Sequence, residues 1–265
     1  MSSFIFDPEV QYDMRSPEVW DSGTFFTHIR SSVIRLLSAV EDRGKELVAF
    51  DFISEPVVRE HGVSRAPKLW PKLVGDISGI MESRSPDRWL VVSSAPWGAA
   101  EGYKNFSPLN YSRVIYGVHI YMPHAFTHQG INKGINSSLT PQKYPGWVRF
   151  RYWDKQKIEE KLKPLREFQE KYNVPVLVGE FSTVRWADGG EKYIEDVASI
   201  ANGYNWDWLY FSATGWHGWN PDYKHRNSWD ENDRSYLEND REGDTSERWV
   251  TLRKIFSMNK KGITH

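Results

Sequence analysis

Two glutamates at the exits of apolar stretches are where this sequence can do chemistry. Asp51-Phe-Ile-Ser-Glu-Pro56 runs an apolar segment into Glu55 and stops it with proline. Val176-Leu-Val-Gly-Glu-Phe-Ser182 brings a second segment to Glu180, behind a glycine that allows close approach. An isolated Glu-Pro reads as an ordinary loop carboxylate, whereas a carboxylate emerging from a buried strand needs partners or a task. Between them lies Gly117-Val-His-Ile-Tyr-Met-Pro-His124, in which His119 and Tyr121 are two apart and share one side of a strand. Alone, that spacing describes a satisfied core pair. Thr214-Gly-Trp-His-Gly-Trp219 then places two indoles past the last apolar run. The order carries more than any single motif: Glu, His-x-Tyr, Glu and Trp end successive strands, and on parallel strands all four converge on one face. Two carboxylates that converge can divide one reaction into proton donation and nucleophilic attack.

Helices must alternate with those strands. Phe25, Ile29, Val33, Leu36, Leu37 and Val40 recur at helical spacing, which predicts a helix over 24–42 with Gly44 as its stop signal. Leu47–Ile53 reads as a buried strand, Pro67 opens a second helix, and Trp89–Ser93 is the next strand. Val114–Tyr121 is another strand, followed by a long polar loop over 123–152. Ile158, Leu162, Leu165 and Phe168 mark a helix, Val174–Gly179 a strand, and 190–203 a further helix. Trp208–Phe211 reads as the last strand, 220–245 as loop and 246–258 as a closing helix. Near-continuous apolar strands between helices imply a parallel sheet covered on both faces. No Gly-rich turn follows the first strand, which argues against a nucleotide-binding doubly wound sheet. Chemistry crowding at the C-terminal strand ends suits a (β/α)-barrel. No linker splits the chain, so residues 1–265 read as a single catalytic domain.

The bulk properties bound the partners. Lys and Arg number 34 against 35 Asp and Glu, so no basic footprint for nucleic acid exists and an uncharged partner fits better. Cysteine is absent, which excludes disulfides and thiolate metal sites. The histidines show no ligand spacing for a metal, and no cofactor is implied. No run approaches the ~18 to 20 apolar residues that span a bilayer, and the opening residues do not read as a secretory signal. Aromatic residues make up 15% of the chain, which suits either a large aromatic core or a cleft whose indoles pack on the C–H faces of sugars.

In these motifs the sequence resembles glycoside hydrolase family 5, the large cellulase family of (β/α)8 barrels. That family commonly shows Asn-Glu-Pro after its fourth strand, His-x-Tyr after the sixth, Glu after the seventh and Trp after the eighth. Here the positions read Ser54-Glu55-Pro56, His119-x-Tyr121, Glu180 and Trp216. The interval from Glu55 to Glu180, 180 − 55 = 125 residues, suits three intervening β/α units. Tyr121–Gly130 and Gly179–Trp186 also resemble a bacterial branch of the family. The resemblance implies an incomplete (β/α)8 TIM-barrel-type α/β fold with strands 4–8 present. It implies a retaining glycoside hydrolase of β-1,4-linked glucan: Glu180 attacks the anomeric carbon while Glu55 protonates the leaving oxygen and later activates water. Retention requires the two carboxyls about 5–5.5 Å apart. Tyr121 is implied to orient Glu180, His119 to bind sugar hydroxyls, and Trp216 to stack under the sugar. Trp97 is a candidate for a neighbouring subsite, with Trp186, Trp219, His124 and His128 behind it. The competing readings are a glycan-binding relic of such an enzyme and a β-mannanase of the same family.

Two departures stand out. Ser54 replaces the asparagine that contacts the sugar 2-hydroxyl, at a cost of about 1–3 kcal/mol in transition-state binding if nothing compensates. The family's first strands, which bring an Arg and a His to the site, have no counterpart before the first helix. Truncation, completion of the open sheet by a second copy, and closure by residues 1–23 are the three expectations, since an open remnant exposes its edges. Substrate logic places the protein outside the cytoplasm, secreted or periplasmic.

Overall fold

Helix α1 (Pro17–Trp20) and helix α2 (Gly23–Ala39) open the part of the chain that the computed structural model describes, which comprises residues 16–41, 49–131, 141–226 and 239–258. Ser22 explains where α2 begins: its hydroxyl accepts the Phe25 N–H at 3.3 Å, relieving one orphan donor of the first turn. Phe25, Phe26, Ile29, Val33 and Leu37 form the buried stripe. Trp20 meets Phe25 edge-on at 5.0 Å and Trp70, the first residue of α3 (Trp70–Arg84), at 6.1 Å. The helix expected over 24–42 thus ends at Ala39; Gly44, Leu47 and Val48 lie outside the described residues.

The main sheet has five strands in the order β1 (Ala49–Asp51), β4 (Trp89–Ser93), β5 (Val114–Ile120), β8 (Val176–Phe181), β9 (Asp207–Trp208). β1 pairs with β4 and β4 with β5 in parallel, with Phe50 opposite Leu90 and Ser93 opposite Gly117. Beyond β9 the chain keeps bonding toward β8, with Leu209 N–H on Val178 O at 2.9 Å and Phe211 N–H on Phe181 O at 3.2 Å. The last strand is therefore shorter than Trp208–Phe211, although the alternate bonding persists. Near-total burial of β5 agrees with a sheet covered on both faces.

The chain packs as two compact units, and the division runs through β5, β8 and α5 (Lys155–Tyr172). The first unit comprises Met1–His119 with Lys163–Leu177. Its core includes an aromatic cluster in which Phe168 lies 4.9 Å from Tyr116 and 5.1 Å from Tyr103. The Tyr103 hydroxyl donates to the carbonyls of Val92 (3.1 Å) and Gly117 (2.6 Å), tying the helical turn Ala100–Asn105 to β4 and β5. A hairpin, β2 (Val58–Glu60) with β3 (Val63–Arg65), follows the Glu55 loop; its polar sequence carries no strand period.

The second unit comprises Ile120–Leu162 with Val178–His265. It holds α6 (Gly190–Gly203), at the bounds the sequence predicts, and α7 (Glu247–Ser257), capped by Ser246 on Trp249 N–H. The stretch read as a loop over 123–152 is more ordered than that. It contains α4 (His124–Thr127) and a hairpin of β6 (Gly146–Val148) with β7 (Arg151–Trp153). One hairpin face is buried through Val148 and Trp153 and the other exposes Trp147 and Tyr152, so an aromatic outer face hid a half-buried ribbon. Residues 132–140 of that stretch, and 227–238 of the loop expected over 220–245, lie outside the described residues.

Candidate active site

Glu55 lies in the first unit. Asp51 Oδ1 accepts the Ile53 N–H at 3.2 Å, turning the chain as β1 ends and lifting Ser54-Glu55-Pro56 out of the ladder. The Glu55 side chain is 35% exposed and its Oε1 lies 2.9 Å from Nδ1 of His119, whose side chain is 3% exposed. An ionised Glu55 accepts from Nδ1–H; a protonated Glu55 donates to the same nitrogen in the other tautomer. The contact is therefore compatible with either form of the carboxyl. The family resemblance implies a role for His119 at sugar hydroxyls; the structure buries the imidazole and turns Nδ1 to Glu55.

A strained loop after β4 holds this pair from outside. Trp97 and Gly98 are successive left-handed residues, with φ of +62° and +63°. For tryptophan that conformation costs about 1–2 kcal/mol. The strain is held by Trp97 N–H on Pro56 O at 3.2 Å and by His119 N–H on Gly98 O at 2.9 Å. A Cβ on Gly98 would sit 3.3 Å from both His119 Cγ and Ser54 O, so glycine permits the loop to lie against both. Trp97 is half-buried, and the Arg59 guanidinium lies 5.0 Å from its ring centroid. One indole face is thus occupied by a cation, and any sugar platform at Trp97 uses the other.

Glu180 lies in the second unit. Glu180 is half-buried near the end of β8, and the Tyr121 hydroxyl donates to its Oε2 at 3.1 Å. Tyr121 is itself buried, stacked on Trp219 at 5.8 Å and edge-on to His128 at 5.1 Å. Trp216 is half-buried and stands edge-on to Trp186 (5.7 Å) and Trp219 (5.3 Å). Its ring folds back over Gly218, where a Cβ would fall 2.2 Å from Cζ3. Trp186 departs from its expected candidacy: it is buried and its indole N–H donates to Gln129 O at 2.7 Å, which makes it a wall of the site.

Several residues here escaped the sequence reading. Arg185, five residues past Glu180, is buried and reaches Asp240 Oδ2 with two nitrogens at 3.1 Å each, and Lys224 O at 2.7 Å. Burial works to raise the Asp240 pKa, but bonds from Arg185 and Arg226 overcome it and hold the carboxyl below its ordinary value. The Arg185 N–H donates to Gly218 O at 2.8 Å, linking the exit of β8 to the loop that carries Trp216. Buried Arg248 donates to Thr183 O at 2.6 Å and to Glu191. His217 is buried beside these cations; burial first, then the charges of Arg185 and Arg226, lower its pKa to about 4. Asp240 sits in a polar stretch with no period, so only its burial identifies it.

Known structures share this arrangement of strands. A hyperthermophilic endo-β-1,4-glucanase solved in complex with substrate superimposes with a TM-score of 0.66 at 21% identity, over 81% of this chain and 66% of that one. Thermotoga maritima Cel5A, solved in complex with a mannotriose substrate, gives 0.64 at 19% identity, over 77% and 63%. These likenesses establish the fold as an incomplete (β/α)8-type α/β structure. By sequence the chain is 24% identical over 184 residues to Endoglucanase C of Acetivibrio thermocellus, covering 61% of this chain and 52% of that protein. The chain thus spans about half the length of the curated relatives it matches. Residues 37–217, well over half of the sequence, match the Cellulase (glycosyl hydrolase family 5) pattern as a whole, and the chain belongs to that family.

Proposed function

We propose that this chain is the catalytic part of a retaining glycoside hydrolase that cleaves β-1,4-linked glucan within one domain, residues 1–265. Glu180 is the nucleophile and Glu55 the acid/base. Glu55 gives its proton to the glycosidic oxygen, which breaks from the anomeric carbon and departs as a hydroxyl as Glu180 bonds to that carbon. Glu55 then takes a proton from the water that displaces Glu180 from the carbon, and each carboxyl returns to its starting form. The observation that carries the reading is the pairing of Glu180 with the Tyr121 hydroxyl at 3.1 Å, in a chain of this family. The Tyr121 hydroxyl orients the carboxylate, which stays half-exposed and able to attack. On the other carboxyl, the His119 contact supports proton traffic in both directions. Trp216 is proposed as the stacking platform, Trp97 as a flanking subsite, and Ser54 as the contact to the sugar 2-hydroxyl. A polysaccharide substrate puts the working protein outside the cytoplasm, secreted or periplasmic.

The test is hydrolysis of cellulose, mixed-linkage glucan, xyloglucan and mannan, with the product anomer read by NMR. Glu55→Gln is expected to lose about 10²–10⁴-fold in rate, least with a good leaving group. Glu180→Gln is expected to abolish the glycosyl-enzyme that a 2-fluoro-glycoside traps. A crystal structure of that trapped species measures the carboxyl separation. Inverted product, or a separation well above the retaining range, overturns the mechanism. Glycan binding with no hydrolysis in the unmodified chain identifies the relic instead.

A further inference from the structure

The segment Pro123–His128 contains more than the strand-end pair requires. Thr127 is completely buried, and its hydroxyl donates to the carbonyl of Tyr121 at 2.6 Å. The same oxygen lies 2.9 Å from Nδ1 of His128. A hydroxyl has one proton, and that proton is committed to Tyr121. Toward His128 the oxygen must therefore accept, which places the imidazole proton on Nδ1. The result is a directed chain, His128 Nδ1–H to Thr127 O–H to Tyr121 C=O. Burial first, and then neighbouring His124, lower the His128 pKa to about 4, so the ring is neutral near pH 7 and holds one ring proton.

The ring of His128 acts on Tyr121 a second time. Its centroid lies 5.1 Å from the Tyr121 ring and 5.4 Å from that of Trp219, edge-on to both, while Trp219 stacks on Tyr121. Tyr121 is thus gripped at its carbonyl and along its ring, and its hydroxyl meets Glu180. The Thr127 carbonyl also accepts the N–H of Val184 at 3.0 Å, so α4 is fastened to the chain leaving Glu180.

We propose that His128, acting through Thr127 and through its ring contacts, is a positioning residue that aims the Tyr121 hydroxyl at Glu180. This rests on the reading of Glu180 as nucleophile. It explains why histidine stands there: a phenylalanine would keep the ring contact and lose the donor, and an asparagine would keep an N–H near the Nδ1 position and lose the ring.

The test is a double-mutant cycle in the unmodified chain background, read with an aryl β-cellobioside. His128→Phe is expected to lower kcat about tenfold with KM within about twofold, because misaiming a catalytic group taxes the reaction more than binding. His128→Asn is expected to recover part of that loss. In a Tyr121→Phe background, His128→Phe is expected to cost less than about twofold more, since both act through one hydroxyl. Long-range 15N–1H NMR of the free protein reads the tautomer without any turnover, and Nδ1–H is expected for His128. An active enzyme whose two losses multiply, or whose ring carries Nε2–H, refutes the positioning role and leaves the hydrolase reading intact. A protein inert on every glycan with Nδ1–H in place refutes the hydrolase reading, and the positioning role of His128 falls with it.

Discussion

Replacing Gly218 with alanine should dislodge the proposed sugar platform. An alanine Cβ there would meet Cζ3, Cη2 and Cε3 of Trp216 at 2.2, 2.3 and 2.7 Å, where ordinary contact begins at 3.4 Å. The indole must retreat by more than 1 Å. It cannot simply slide, because Trp186 and Trp219 stand against it nearly at right angles, at 89° and 88°. The loop cannot easily shift either, because Gly218 O is the acceptor for the Arg185 N–H at 2.8 Å. Overpacking of this kind costs about 1–3 kcal/mol. For a chain of this size that corresponds to about 2–12 °C in melting temperature. A platform displaced by about 1 Å misaligns the sugar, which can reduce turnover up to about 10²-fold. The assay pairs a thermal melt followed by tryptophan fluorescence with hydrolysis of a soluble β-glucan. Gly203→Ala is the control, since nothing lies within 4 Å of a Cβ at that position. If Gly218→Ala melts within about 1 °C of the parent and keeps its KM, the ring does not rest on this backbone and the platform assignment fails.

Three further outcomes follow from the same geometry. Gly75 and Gly79 lie exposed within α3 with nothing within 4 Å of an added Cβ, so Gly75→Ala and Gly79→Ala should each stabilise by about 0.5–1 kcal/mol; a lowered urea midpoint in either contradicts this. Burial lowers the pKa values of both His217 and His128 from the ordinary 6.5 to about 4, so the fold favours their neutral forms. Their contribution to stability is complete above about pH 6.5 and shrinks as pH falls toward 4, because the unfolded chain then binds more protons. His217→Asn should flatten part of that slope in urea titrations, and an unchanged slope would show that His217 is not the group responsible. Ser54→Asn restores the amide that the family pattern places before the acid/base. It should raise kcat on glucan several-fold, the share of about 1–3 kcal/mol that a recovered hydrogen bond contributes; equal or lower turnover would count against this alignment.

The helices and strands were legible because burial imposes a period. Val33 and Leu37 in α2, or Ile158, Leu162, Leu165 and Phe168 in α5, repeat because one face of each helix is covered. The strand ends were legible for a related reason: an apolar run that stops at a charged residue marks where a strand leaves the core. The supports of those strand ends left no such trace. Gly98 and Gly218 matter through what a Cβ would strike, and spacing along the chain does not report that. Asp240 and Arg185 are 55 residues apart and meet only when folded. The hairpin formed by β6 and β7 was hidden because its exposed face is aromatic, so hydrophobic alternation, the usual mark of a half-buried ribbon, is blurred. His119 shows the same limit from the other side: its strand position was readable, but its buried contact with Glu55 was not.

These supports share a physical logic. A strand fixes its own residues through the ladder, but the ladder ends where the chemistry begins. Beyond that point, position has to come from elsewhere. In the first unit it comes from the left-handed Trp97–Gly98 loop, whose backbone bonds to Pro56 and His119 hold the segments on either side of it. In the second it comes from α4 and from Arg185. One fastens the Tyr121 carbonyl, and the other ties the exit of β8 to Gly218 and to a buried carboxylate. Buried ion pairs such as Arg185 with Asp240 add little net stability over an apolar replacement, yet removing one partner strands a charge at about 3–5 kcal/mol. An arrangement of that kind is poorly explained by stability alone. It is well explained by a demand for fixed geometry, which is what the proposed attack of Glu180 on one carbon atom of a sugar requires.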